Sequence, residues 1–107
     1  MDGFYLESVD EIQLTKNHIK NSRYAVHMMY SNQVQLHENN LENNMTGFMV
    51  MVAKDVQIKN NIVARNNSLN SLGVYTYDIV GLQFKENELY ENTIAMDIQN
   101  VKEMVLG

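Results

Sequence analysis

Two short stretches of this chain carry side chains that bind soft metal ions or grip protein partners, and they repeat at one spacing. His27 and Met29 are followed by Met49 and Met51, each 22 residues after its counterpart. Thioether sulfur with imidazole is a donor set suited to Cu(I), which prefers soft ligands. Met and Tyr are also enriched where proteins bind one another, and Tyr5, Tyr75 and Tyr77 fall at related positions. The candidate metal ligands are therefore His27, Met29, Met49 and Met51, and with the three tyrosines they form the candidate binding surface. A docking surface is the simpler expectation and a transient copper site the sharper one.

The remaining polar residues offer less. His37 repeats with Thr15, Lys59 and Lys85 and reads as solvent-facing, and His18 has no evident ligand partner. The acids Glu7, Asp10, Glu11, Asp55, Asp78 and Asp97 share no column on neighbouring repeats, so neither a catalytic carboxylate pair nor a calcium site is indicated. Glu38 stacks by repeat on Lys16, and Glu42 on Lys20, as in ordinary cross-strand charge pairing. There is no Gly-rich phosphate loop and no nucleophile motif, so a non-catalytic role is expected.

What must position these residues is a repeat. Asn17, Asn39, Asn61 and Asn87 each precede an apolar residue by two, at spacings of 22, 22 and 26. A column of small residues, Gly3, Ala25, Gly47, Gly73 and Ala95, has spacings of 22, 22, 26 and 22. Two independent columns with the same insertion, best placed around Ser68–Ser71, mark a solenoid. Within each repeat apolar residues alternate, as in Val26/Met28, Phe48/Val50 and Val74/Thr76, then Val34/Leu36, Val56/Ile58 and Leu82/Phe84. Alternation means strand, and a third short strand holds Ile19, Leu41, Val63 and Leu89.

The expected fold is all-β: a right-handed parallel β-helix of about four to five coils, with limits near 2–23, 24–45, 46–71, 72–93 and 94–107. Stacked Asn17, Asn39, Asn61 and Asn87 would form a structural ladder, each tolerating left-handed backbone at a tight bend. By parity Met28 faces the core, and residues 27, 29, 49 and 51 face out. Neither end carries a polar cap, so the chain reads as coils of a longer solenoid whose open rungs invite end-to-end self-association.

Composition excludes several classes. The net charge of −5 and the absence of a basic patch argue against nucleic acid. Without Cys there is neither a disulfide nor a thiolate metal site. No apolar run approaches the roughly 20 residues of a bilayer span, so no direct membrane insertion is expected. Residues Met1 to Ser8 lack the features of a signal peptide, which for an exported protein would lie outside this chain.

The run Arg23-Tyr24-Ala25-Val26-His27-Met28-Met29-Tyr30-Ser31-Asn32, followed by Gly47-Phe48-Met49-Val50-Met51, resembles the NosD family, as does Asp2-Gly3 at the first coil. The resemblance implies a periplasmic or cell-surface accessory protein for nitrous oxide reductase. Such a protein acts with an ABC-type transporter and a copper chaperone in supplying the reductase's copper–sulfur centre. It directs attention to Arg23, Tyr24, His27, Met28, Met29, Tyr30, Met49 and Met51, which largely coincide with the outward patch. A different class shares the architecture, a carbohydrate-active β-helix acting as polysaccharide lyase, hydrolase or sugar-binding module. In that reading Tyr5, Tyr75 and Tyr77 would stack on sugars, and the lack of a carboxylate cluster weighs against it.

Overall fold

With no proline to interrupt a ladder and apolar residues alternating, the chain pairs with itself along most of its length. The computed structural model describes residues 3–107, and Asp2, which the repeat places at the opening of the first coil, lies outside the described residues. The first coil holds β1 (Phe4–Glu7), β2 (Asp10–Thr15) and β3 (His18–Lys20). Later coils pair one long strand with one short: β4 (Tyr24–His37) with β5 (Asn40–Glu42), and β6 (Thr46–Lys59) with β7 (Ile62–Ala64). Then come β8 (Leu72–Lys85) with β9 (Glu88–Tyr90), and β10 (Ile94–Leu106).

Pairing among the described residues is parallel throughout. One sheet runs β1-β4-β6-β8-β10 with β2 also on β4, and a second runs β3-β5-β7-β9. The fold is all-β, a parallel β-helix of about five turns at roughly the 22-residue spacing of its columns.

The alternation predicts three short strands per coil, but in the later coils the first two are one ladder bent at a corner. Tyr30 and Gln33 in β4, Val52 and Asp55 in β6, and Asp78 and Gly81 in β8 all take positive φ. Between them the register continues, Ser31 on Ala53 and Ala53 on Ile79. A pair of left-handed residues turns the chain while the residues between stay hydrogen-bonded to the next coil. At Gly81, φ is +82° and an added Cβ would lie 3.1 Å from Asp55 Oδ1, so glycine suits both the backbone and the space.

The core fills the tube. Val26, Met28, Phe48, Val50 and Val74 enter from before the corner, Val34, Leu36, Val56, Ile58 and Leu82 from after it, and Leu41 and Val63 from the short sheet. Each fully buried side chain of this size contributes about 1.5–3 kcal/mol. The small column answers to close approach: a Cβ at Gly47 would meet the Gly73 carbonyl oxygen at 2.5 Å and Val63 at 2.7 Å.

The asparagine column works differently from the expectation. Asn17, Asn39, Asn61 and Asn87 are not the left-handed residues; Lys16, Glu38, Asn60 and Glu86 before them are, with φ between 55° and 59°. That bend turns the following Asn inward, where it joins a ladder. Asn61 Oδ1 accepts from the Asn39 backbone N–H at 2.9 Å and from Asn39 Nδ2 at 3.0 Å. Asn61 Nδ2 in turn donates to the Leu36 carbonyl at 2.8 Å and to Asn87 Oδ1 at 2.9 Å. All the hydrogen-bonding capacity of a buried amide is thereby met, as burial requires.

The other end of the short strand repeats the device. Asn21, Asn43, Arg65 and Glu91 are left-handed, and Ser22, Asn44, Asn66 and Asn92 follow as a second ladder. The four extra residues of the third coil lie between Asn66 and Leu72, in a turn closed by the Ser71 N–H on the Ser68 carbonyl at 3.0 Å.

Candidate functional site

Parity and register assemble the outer face of β1, β4, β6, β8 and β10. His27 pairs with Tyr5 on one side and Met49 on the other, and Met49 with Tyr75. Met29 pairs with Glu7 and Met51, and Met51 with Tyr77. The columns thus read Tyr5–His27–Met49–Tyr75–Asp97 and Glu7–Met29–Met51–Tyr77–Gln99. His27, Met29, Met49 and Met51 form a two-by-two block on adjacent coils, about 4.8 Å apart between coils and about 6.5–7 Å along the strand. All four are half-buried, while Tyr5 and Tyr77 at the edges are exposed.

The His27 ring is held in an aromatic row. Tyr5 meets it edge-on at 4.9 Å between centroids and Tyr24 at 5.0 Å, with interplanar angles of 68° and 62°. The Arg23 guanidinium lies 4.9 Å above the Tyr24 ring, a cation–π contact. Alternation did not bring Tyr24 to this group, because it precedes the buried Ala25 and Val26, where the in-and-out pattern lapses. Tyr5 donates its hydroxyl to Glu7 Oε1 at 2.9 Å. At the far end Gln99 Nε2 donates to Asp97 Oδ1 at 3.2 Å. Met28 is fully buried and faces away from the block. Tyr30 stands at the corner, 54% exposed.

The other histidines differ from their expected surroundings. His18 has a partner: its Nε2 lies 2.9 Å from Glu42 Oε1, and Arg65 Nη1 lies 3.2 Å from Glu42 Oε2. Glu42 sits opposite Lys20 in the ladder, but its direct contacts are with His18 and Arg65. The hydrogen bond from His18, aided by the charges of His18, Arg65 and Lys20, holds the Glu42 carboxyl below the usual carboxylate range against a weaker opposing effect of desolvation. His37 is half-buried in the Thr15–His37–Lys59–Lys85 column, with Nε2 buried and without a hydrogen-bond partner.

Among the described residues no three His, Cys, Asp or Glu side chains gather as a metal site. The His27–Met29–Met49–Met51 block sets one imidazole and three thioethers on one face. The corner brings together acids that the columns keep apart: Asp10, Glu11 and Asp55 line one groove with Lys54.

Residues 1–106 match the family model described as "Periplasmic copper-binding protein (NosD)". No curated protein and no solved structure matches the chain. Because the family match spans essentially the whole sequence, the chain belongs to the NosD family, periplasmic copper-binding proteins.

Proposed function

We propose that this solenoid is a non-catalytic scaffold. It presents the face bearing Tyr5, His27, Met29, Met49, Met51, Tyr75 and Tyr77 to a protein partner outside the cytoplasm, during assembly of the copper site of nitrous oxide reductase. The observation that carries the reading is the registered block of one imidazole and three thioethers on adjacent coils. A strand-and-coil scaffold has no need of soft donors on its outer face, where any solvated side chain serves. The donor set fits Cu(I), and His27, Met29, Met49 and Met51 would hold it. When bound there, Cu(I) would be cargo kept in its reduced state by soft ligands. The aromatic row of Arg23, Tyr24 and Tyr5 fixes the His27 ring, so that residue enters the block with little rotamer freedom to lose.

The tyrosines supply broad, stiff contact area around the block. Under this reading the partner is the apo-reductase, a copper chaperone, or the extracytoplasmic part of an ABC-type transporter. The test is an anaerobic Cu(I) titration against a competing chromophoric chelator, with His27→Ala/Met51→Ala alongside. One equivalent taken up by the wild type and lost in the variant supports metal handling at the block. No competition at micromolar copper removes the copper role and leaves the face as a docking surface alone.

A further inference from the structure

The corner beside the outer face carries residues that the bend does not favour. The first left-handed position of each coil holds Ser8, Tyr30, Val52, Asp78 and Asn100, with φ between 51° and 61°. Short polar side chains tolerate this geometry because they hydrogen-bond locally, whereas a β-branched valine meets its own backbone there. The first, fourth and fifth coils obey that preference. The second and third, with Tyr30 and Val52, do not, and these are the coils that carry His27, Met29, Met49 and Met51. Tyr30 and Val52 directly follow Met29 and Met51 in the chain.

A groove of about 370 Å³ opens at this point, lined by Tyr30, Val52, Val80, Lys54 and Asp78 among others. Its apolar members are only partly covered, Tyr30 being 54% and Val80 37% exposed. Asn32 and Lys54 also line the neighbouring groove, where Asp10, Glu11 and Asp55 stand against the single lysine. The two grooves thus flank Asn32 and Lys54, the first largely apolar and the second net negative, on a chain whose own net charge is −5.

We infer that this corner is a docking groove for an extended segment of a partner protein, in which Tyr30, Val52 and Val80 seat an aliphatic side chain and Asp10, Glu11 and Asp55 receive an adjacent Lys or Arg. The inference rests on the reading of the outer face as a docking surface and adds the partner's chemistry. Extended chain suits the site, because the groove is lined by residues of three successive coils, Tyr30 and Asn32, Val52 and Lys54, and Asp78 and Val80. Charge complementarity selects the basic neighbour.

The test is titration of the protein with a short blocked peptide carrying one Leu followed by two Lys, read by amide chemical shifts. Control peptides place Ser for the Leu, or Glu for both Lys. Saturable shifts at Val52, Lys54 and Asp55, lost with either control, are the expected result. Val52→Asn, which relieves the left-handed valine, should raise the melting temperature by about 4 °C and weaken peptide binding by about 10-fold. A stabilised variant that binds as before would overturn the inference, as would equal binding of the Glu peptide. Shifts that depend on protein concentration without peptide would assign the groove to a second copy and overturn it too. Because Val52→Asn leaves His27, Met29, Met49 and Met51 in place, its Cu(I) titration should match the wild type. Failure of the groove and failure of the copper reading are thus separately visible.

Discussion

The inner asparagine column and the outer Tyr5–His27–Met49–Tyr75–Asp97 column climb the same tube under opposite rules. Inside, Asn39 and Asn61 are nearly inaccessible, and each depends on an identical neighbour one coil away for its hydrogen bonds. Change one rung and the next is left with a buried donor or acceptor unmet. Outside, each rung faces water, so a different residue at each step costs little. Repetition marks what the fold requires, and departure from it marks where function has room. The same contrast reappears at the corner, where Tyr30 and Val52 occupy positions that Asp78 and Asn100 fill on later coils.

The largest expected effect comes from the interior. Phe48→Ala, at a fully buried position, should lower stability by about 3–5 kcal/mol, read as a fall in the urea midpoint. A loss below about 1 kcal/mol would mean the tube can collapse around the cavity and the interior is less strictly packed than its burial implies.

Asn61→Ala comes next, at about 2–4 kcal/mol, since it strands the Asn39 backbone N–H in the core and removes an acceptor of the Asn39 side-chain amide. Asn87→Ala, half-buried on the next coil, should cost less. Equal costs at the two sites would show that the ladder acts through the bend and not through buried polar satisfaction.

On the outer face the contrast should invert. Combining His27→Ala, Met29→Ala and Met51→Ala should leave stability within about 1 kcal/mol of wild type, while Cu(I) uptake and partner binding disappear. Global unfolding of this triple variant would instead make the face part of the framework and sink the comparison.

The smallest effect concerns the charged surface of the short sheet. The Glu42 carboxyl titrates below its ordinary range because of His18 first and of the nearby cations after it. Its contribution is present above the usual carboxylate range and is lost as pH falls through the lowered folded value. Wild type should therefore lose slightly more stability than Glu42→Gln between about pH 5 and pH 3, and solvent screening keeps the difference small. Identical acid profiles would show the His18–Glu42–Arg65 contacts to be energetically idle.

The coils, their spacing and the face that most residues of the long strands take were readable from the chain itself. Columns such as Val26–Phe48–Val74 and His27–Met49–Tyr75 repeat in the chain as they stack in space. The second ladder, Asn44, Asn66 and Asn92, was also legible at spacings of 22 and 26 but lacks the apolar marker that flagged the first. The left-handed residues were not legible, because Lys16, Glu38, Val52 and Arg65 carry no sign of that geometry in their side chains. Nor were the contacts that cross between columns, such as His18 with Glu42 and Tyr24 with His27.

By itself, then, the sequence determined the solenoid, its register and the placing of His27, Met29, Met49 and Met51 on one outward face. It could do so because strand parity is a property of the chain and stacking repeats it from coil to coil. Only the tertiary structure decided that the bends fall one residue before the asparagines. It alone decided that the first two strands run on as one, and that Tyr30, Val52 and Val80 meet across three coils in a groove. Those outcomes depend on how the corner closes and how side chains lean between neighbouring columns, and neither is written in the period of the repeat.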